Sequence, residues 1–318
     1  MAETQLYRPY SEYLRSRYGG KVYKIPVNLP VGCPNRDGTC GYGGCIYCGD
    51  DGAGFEDLPS SMSVSQQIHI NRPKMRQKFR AEKFIIYFQN FTNTYLPLTQ
   101  LAGYLHESTG EDVVEIALST RPDCIHDDLL AYLKEFQDQN AVRISLEIGL
   151  QTVNYHTLDW INRGHTLAEF IDAAYRIRPF GFDICAHLIL NLPGDTLVDS
   201  IEAAKILSAL RVNQVKLHAL YVVRNTRLAE WVKTGQVVLG SKEEYIDRVI
   251  NFLEYLDPTI VIQRLIGRAP EADTLWVNWN TSWWKIKEEI EQQMTLTGAR
   301  QGRKCDYLNG SAVKRFYL

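Results

Sequence analysis

Four of the chain's seven cysteines fall within sixteen residues, Cys33-Pro34-Asn35-Arg36-Asp37-Gly38-Thr39-Cys40-Gly41-Tyr42-Gly43-Gly44-Cys45-Ile46-Tyr47-Cys48. Pro26 and Pro30 precede this stretch, and Gly38, Gly41, Gly43 and Gly44 lie within it. It is therefore read as a loop, because neither a helix nor a strand survives that density of breakers. A loop on which thiols converge has three uses. Paired disulfides are disfavoured: nothing resembles a secretory signal, and 318 residues supply a core that needs no staples. A four-thiolate zinc site would take Cys45-x2-Cys48 as half its ligands, but Cys33 and Cys40 are separated by six residues rather than two to four. Iron–sulfur ligation is favoured by the spacing, since soft thiolates on a glycine-rich loop suit a cluster whose sulfides need N–H donors around them. All three readings stay open on spacing alone.

The remaining cysteines, Cys124, Cys185 and Cys305, are far apart and fit reduced thiols of the cytosol. No apolar run reaches eighteen residues and no charged leader precedes an apolar segment, so a cytoplasmic enzyme with no membrane span is expected. A formal charge of −2 argues against a protein that wraps duplex nucleic acid by charge alone, while leaving room for a local basic patch.

Beyond residue 20 the chain reads as strand then helix, repeated. Strand-like runs at 22–28, 83–89, 113–118, 142–148, 182–190 and 215–220 are apolar and end in polar clusters. Helical stretches are expected at 62–82, with Pro73 as a break, and at 125–138, 166–178, 197–210 and 241–255. Six such units imply an α/β fold with a parallel sheet and right-handed crossovers, in which chemistry collects at the carboxyl ends of the strands. Six is too few to close an eight-stranded barrel. The expected architecture is an open three-quarter (β/α)6 TIM-like barrel over 21–270, with a doubly wound sheet as runner-up. An aromatic helix over 1–20 precedes it and a Trp-rich extension over 271–318 follows.

The cysteine loop directly after the first strand, with Tyr47 before the last cysteine, resembles the cluster loop of the radical S-adenosylmethionine superfamily. Its spacing, Cys33-x11-Cys45-x2-Cys48, is not the common C-x3-C-x2-C. With Ser119-Thr120-Arg121-Pro122-Asp123, Glu147-Ile148-Gly149-Leu150-Gln151-Thr152, Ile161-Asn162-Arg163-Gly164-His165 and Leu192-Pro193-Gly194-Asp195, it is similar to the bacterial MnmL/YtqA-type (YhcC) family, over roughly residues 7 to 270. That family is related to the elongator catalytic subunit and to oxygen-independent coproporphyrinogen oxidase.

The resemblance implies that Cys33, Cys45 and Cys48 ligate a [4Fe–4S] cluster, leaving its fourth iron for the amino and carboxylate groups of S-adenosylmethionine. A reduced cluster would then cleave the sulfonium to a 5′-deoxyadenosyl radical, the protein supplying position, electronics and exclusion of water. It also implies a low-potential electron donor such as flavodoxin or ferredoxin. Tyr47 is expected at the adenine, Gln89 and Asn90 at the methionyl amino group, and Gln151 and His187 at the ribose. Arg163 is expected at the carboxylate, and Ser119 joins this cofactor-contact set. Each also has a plainer reading: Tyr47 as a cover for the cluster, Gln151 as a helix cap, Arg163 as a solvated ion pair, His187 as a core histidine. Cys40 departs from the family pattern and is expected to be a spectator thiol. The activity implied is conversion of the carboxymethylaminomethyl group of the tRNA wobble uridine to aminomethyl. The alternatives are a small-molecule substrate, or a zinc-bearing, non-catalytic RNA-binding protein. The basic runs Arg72, Lys74, Arg76, Lys78, Arg80, Lys83 and Arg300, Arg303, Lys304, Lys314, Arg315 give tRNA modest support, weighed against ordinary solvated faces.

Overall fold

The β-branched runs pair into one parallel sheet in the computed structural model, which describes residues 5–49, 52, 58–268, 273–311 and 313. The strands are β1 (Val22–Val27), β2 (Lys83–Phe88), β3 (Val113–Thr120), β4 (Arg143–Gln151), β5 (Asp183–Ile189), β6 (Gln214–His218), β7 (Val222–Val223), β8 (Val261–Arg264) and β9 (Thr274–Trp276). Seven of them hydrogen-bond in the order β1-β2-β3-β4-β5-β6-β8, and β7 pairs with β9 in a separate antiparallel ribbon. Sequential order excludes a doubly wound sheet, in which strand order reverses at a switch point. The sheet curls into an open half-barrel of the expected kind, with one strand more than the six counted from the sequence. The extra strand, β8, is four residues long, too short for its apolar Val261-Ile262 pair to stand out.

The helices are α1 (Tyr10–Tyr18), α2 (Val64–Phe79), α3 (Leu98–Glu107), α4 (Asp127–Asn140), α5 (Tyr155–Trp160), α6 (Leu167–Ile177), α7 (Leu197–Ala209), α8 (Arg227–Lys233), α9 (Lys242–Tyr255) and α10 (Trp283–Thr297). Most lie outside the sheet, where Leu101, Leu130, Phe170, Ala204, Phe252 and their neighbours form the main core against the outward strand residues. Ser63 opens α2 with a reciprocal capping box to Gln66. Pro73 does not break α2. The ring costs one backbone hydrogen bond, and the carbonyl it frees belongs to His69, an exposed residue on the solvent side of the helix.

Helix α1 plugs the amino-terminal end of the barrel. The Tyr18 hydroxyl donates to Glu115 at 2.6 Å, the Tyr13 hydroxyl to Asp183 at 3.1 Å, and Arg17 pairs with Asp183 at 2.9 Å. On the far flank, α10 buries Ile286, Ile290 and Met294, and packs against α9. Trp276 sits in β9 beside Trp279, whose indole N–H donates to the Gly240 carbonyl at 2.7 Å. No helix among the described residues is long and apolar enough to cross a membrane.

Candidate functional site

The loop after β1 folds back on itself and is clamped by the turn after α5. The Pro34 carbonyl accepts from Cys40 N at 2.8 Å and Gly41 N at 3.3 Å, and Gly44 N donates to the Asn35 carbonyl at 2.8 Å. Asn35, fully buried, donates through Nδ2 to the Asn162 carbonyl at 2.6 Å. Asn162 answers by donating to the carbonyls of Gly44 at 2.8 Å and Tyr42 at 3.0 Å. A Cβ at either Gly41 or Gly164 would lie 2.4 Å from Asn35 Oδ1, so both chains must be bare where they pass that side chain. Arg121, locked by a two-pronged ion pair to Asp123 at 2.9 and 2.7 Å, supports the same turn by donating to the Arg163 carbonyl at 2.8 Å. Two sequence motifs thus serve to hold a third.

This clamp aims nitrogen donors at sulfur. Arg163 Nη1 lies 3.5 Å from Cys45 Sγ, Asn35 Nδ2 lies 3.8 Å from the same sulfur, and Arg36 Nη2 lies 3.3 Å from Cys48 Sγ. Burial pushes the Cys48 thiol up, as does Cys45, and Arg36 pulls it back. Burial opposes the charge on Arg163, yet Cys45 and Tyr47 beside it hold the guanidinium above its ordinary value. Cys40, by contrast, is exposed. Tyr47 packs over a small apolar cluster that includes Ile46, Leu158, Ile189 and Val222.

The strand ends bring some of the expected contacts together. Gln151 takes a left-handed backbone at φ 76°, and a Cβ at Gly149 would lie 2.8 Å from both Gln151 Nε2 and Arg163 Nη2. These two side chains therefore converge over Gly149, next to Cys45. Asn90, buried, keeps an unpartnered Oδ1, while Gln89 is half-buried. Ser119 is engaged by the Tyr87 hydroxyl at 2.9 Å. His187 turns down into the barrel, where Nε2 lies 2.8 Å from Glu147.

That carboxylate anchors a network that sequence reading missed. Lys24 pairs with Glu147, Lys216 Nζ reaches it at 2.9 Å and Gln263 donates to it at 3.1 Å. The signal was present as charges inside apolar strand runs, Leu146-Glu147-Ile148 and Val215-Lys216-Leu217, which a two-residue period assigns to the inner face. Burial would raise the Glu147 carboxyl, but Lys216 and Lys24 hold it well below the usual carboxylate range. Ligand atoms of Glu147, Cys185 and His187 lie within 4.8 Å of one another. Two ammonium groups already occupy the carboxylate, so a metal cation there would meet like charge.

The basic runs are elsewhere. Arg76 and Arg72 pair with Asp112 at 2.7 and 3.4 Å, and Lys83 donates to the Tyr18 carbonyl at 2.6 Å. This places them where α2 descends to the start of β2, at the amino-terminal end of the barrel. Arg303 likewise pairs with Glu254 near the end of α9, as does Lys304. Lys314 and Arg315 lie outside the described residues.

The Radical SAM superfamily profile matches residues 27–207, and the Radical_SAM C-terminal domain profile matches 212–295. The chain belongs to the radical S-adenosylmethionine superfamily. The uncharacterized protein YtqA of Bacillus subtilis is 31% identical over 298 residues, 93% of this chain and 92% of that protein. A tRNA uridine(34) acetyltransferase of Methanocaldococcus jannaschii is 27% identical over 178 residues, 55% of this chain but 32% of that protein. Elp3 of Methanocaldococcus infernus shares the fold, with a TM-score of 0.66 at 15% identity over 88% of this chain and 64% of that one. This radical SAM chain is an enzyme whose cofactors are a [4Fe–4S] cluster and S-adenosylmethionine. The cysteine loop suits the cluster: cationic and amide donors face its sulfurs, and Arg163 Nε, buried without a partner, is available beside Cys45.

Proposed function

We propose that Cys33, Cys45 and Cys48 hold the cluster and that the enzyme acts on the tRNA wobble uridine, taking carboxymethylaminomethyl to aminomethyl. The observation that carries the cluster assignment is the Asn35–Asn162 clamp, which brings Arg163 within 3.5 Å of Cys45 Sγ while Arg36 stands 3.3 Å from Cys48 Sγ. Donors at the sulfurs offset the negative charge of thiolate ligands. A closed four-thiolate zinc site would also need Cys40, which is exposed while Cys45 is buried.

When bound, the cluster and S-adenosylmethionine supply one-electron cleavage of the sulfonium and a hydrogen-abstracting radical; the electron comes from a low-potential donor of the flavodoxin or ferredoxin type. Within this reading Tyr47 covers the adenine, and Gln89, Asn90 and Ser119 line the methionyl side. Arg163 and Gln151, converging over Gly149, take the carboxylate and ribose. His187 reaches the ribose only through its Nδ1 edge, since Nε2 is held by Glu147. In this reading the catalytic barrel is the 21–270 unit, α1 closes its floor, and α10, from the 271–318 extension, packs on its flank against α9. The similarity to an enzyme named for tRNA uridine(34) supports the substrate. The basic run on α2 does not, because it lies about 20 Å from the strand ends, the length of the six-residue β2.

The test is anaerobic reconstitution with iron and sulfide, followed by reaction with dithionite and S-adenosylmethionine. Cys33→Ser, Cys45→Ser and Cys48→Ser should each abolish the brown absorption and 5′-deoxyadenosine formation, while Cys40→Ser should keep both. A Cys48→Ser protein that remains brown and cleaves S-adenosylmethionine would overturn the ligand set.

A further inference from the structure

We infer that the barrel lumen contains an anion subsite, built by Lys216 and Arg264, that seats a carboxylate of the substrate. In the β6–β8 ladder Lys216 is the register partner of Arg264, and in the β5–β6 ladder it is the partner of His187. Three adjacent strands thus set His187, Lys216 and Arg264 in one row around the inner wall. The β6–β8 register slips after Val215, and Gln263 and Arg264, although consecutive, both find partners inside.

The charges gathered around that row do not balance. Lys24, Lys216 and Arg264 are cations; Glu147, one row below, is the one described carboxylate bonded to them, and its oxygens are shared by Lys24, Lys216, His187 and Gln263. Burial, and then Lys216, takes His187 down to about 4, and burial with Arg264 takes His218 well below its ordinary value, so both rings are neutral. Three positive charges against one negative leave a surplus of two. Glu115, a layer below, is engaged by Tyr18 and Ser145, each at 2.6 Å, and burial pushes its carboxyl up. Surplus charge held away from water is costly unless something of opposite sign arrives.

The donors for such a guest are in place. Among the described residues Arg264 hydrogen-bonds to the His218 ring alone, through Nη2 at 2.7 and 2.9 Å, and its guanidinium lies against Gly267. Its Nε is buried without a partner, its Nη1 forms no hydrogen bond among the described residues, and no described carboxylate pairs with it. Lys216 commits two N–H groups, to the Tyr87 hydroxyl at 2.9 Å and Glu147 at 2.9 Å, leaving a third. A guanidinium edge beside an ammonium suits a planar carboxylate, which the edge can hold by two bonds. His218 and Arg264 are the last residues of β6 and β8, so the subsite lies at the carboxyl end of the barrel, the end from which the cysteine loop leaves β1. The inference rests on the barrel mouth being the substrate site. For a wobble uridine, the seated group is the carboxylate of the carboxymethylaminomethyl arm.

The experiment has two arms. Crystals of the reconstituted protein grown in sodium bromide should show an anomalous peak between Arg264 and Lys216. The peak should survive Arg264→Lys and vanish in Arg264→Leu and in Lys216→Met, which also guards against one variant misfolding. In the second arm, Arg264→Leu should raise KM for tRNA carrying the carboxymethylaminomethyl group about tenfold or more, with the dissociation constant for S-adenosylmethionine retained. No bromide peak in the wild type overturns the subsite. A parallel fall in S-adenosylmethionine affinity overturns its assignment to substrate, since the cofactor's own carboxylate would then be the guest. If bromide binds but wild-type enzyme leaves tRNA unchanged, the tRNA reading fails and the subsite stands for a smaller carboxylate-bearing substrate.

Discussion

Arg163 Nη1 stands 3.5 Å from Cys45 Sγ, joining the turn after α5 to the loop after β1 although 118 residues separate them. Its Nη2 donates to the Gly149 carbonyl at 2.8 Å, so the same fork ties the end of β4 to the sulfur. A lysine has no planar fork and cannot make both contacts with the same geometry.

Arg163→Lys should therefore leave the fold intact and weaken cofactor retention about 10- to 100-fold, the usual effect of removing a group that orients a ligand. Iron content after gel filtration and S-adenosylmethionine affinity measure this. Unchanged values would mean that the contact to Cys45 is incidental.

Gly164→Ala should destabilise the protein by about 1–3 kcal/mol, the range for a residue forced into a sparsely populated backbone region. Here φ is +73° and the new methyl would lie 2.4 Å from Asn35 Oδ1, which is fully buried and cannot swing away. Urea unfolding of the protein before reconstitution reads the loss directly, with the midpoint moving to lower denaturant at constant slope.

Asp195 offers a pH-dependent test. Burial pushes its carboxyl from 3.8 up to about 6, and its Oδ1 has no partner. A folded-state value above the unfolded one means that its stabilising contribution is complete below about pH 4 and is lost as pH rises through 6. Asp195→Asn should thus stabilise the fold by up to about 3 kcal/mol at pH 7.5 and by nothing at pH 4. Equal effects at both pH values would contradict this account.

Lys216 sets a second pH expectation. Burial, assisted by Lys24 and Arg264 and opposed by Glu147 and Cys185, brings its ammonium down to about 8. The protonated form holds the substrate anion, so kcat/KM should be flat below pH 8 and fall above it, reporting the free enzyme. Lys216→Arg should move that limb upward by more than one pH unit. A limb left in place would assign it to another group.

The cysteine loop was legible because glycine and proline mark a loop and thiols mark its chemistry. The six longer strands were legible because each apolar run ended in a polar cluster, as in Phe84 to Phe88 before Gln89 and Asn90. The α2 basic run looked like an interface because charge spacing shows a helix face without showing which end of the barrel it occupies; Arg76 is in fact tied to Asp112. The lumen network was hidden for a related reason. Alternation puts Glu147 and Lys216 on the inner face, but only the curl of the sheet, which carries β1 and β6 round to β4, makes them meet each other and Lys24. Asn35 stood out as part of the cysteine-loop motif, but its role as a clamp did not: that lies in two glycines, Gly41 and Gly164, that are 123 positions apart and both bare against it.

The measurement that bears most directly on the whole account is nucleoside mass spectrometry after anaerobic reaction of the reconstituted enzyme with dithionite, S-adenosylmethionine and bulk tRNA from a strain lacking the gene. The account predicts 5′-deoxyadenosine that rises with tRNA, and a wobble nucleoside that loses the mass of its carboxymethyl group. If 5′-deoxyadenosine forms at the same slow rate with and without tRNA and no nucleoside changes mass, the tRNA reading is contradicted.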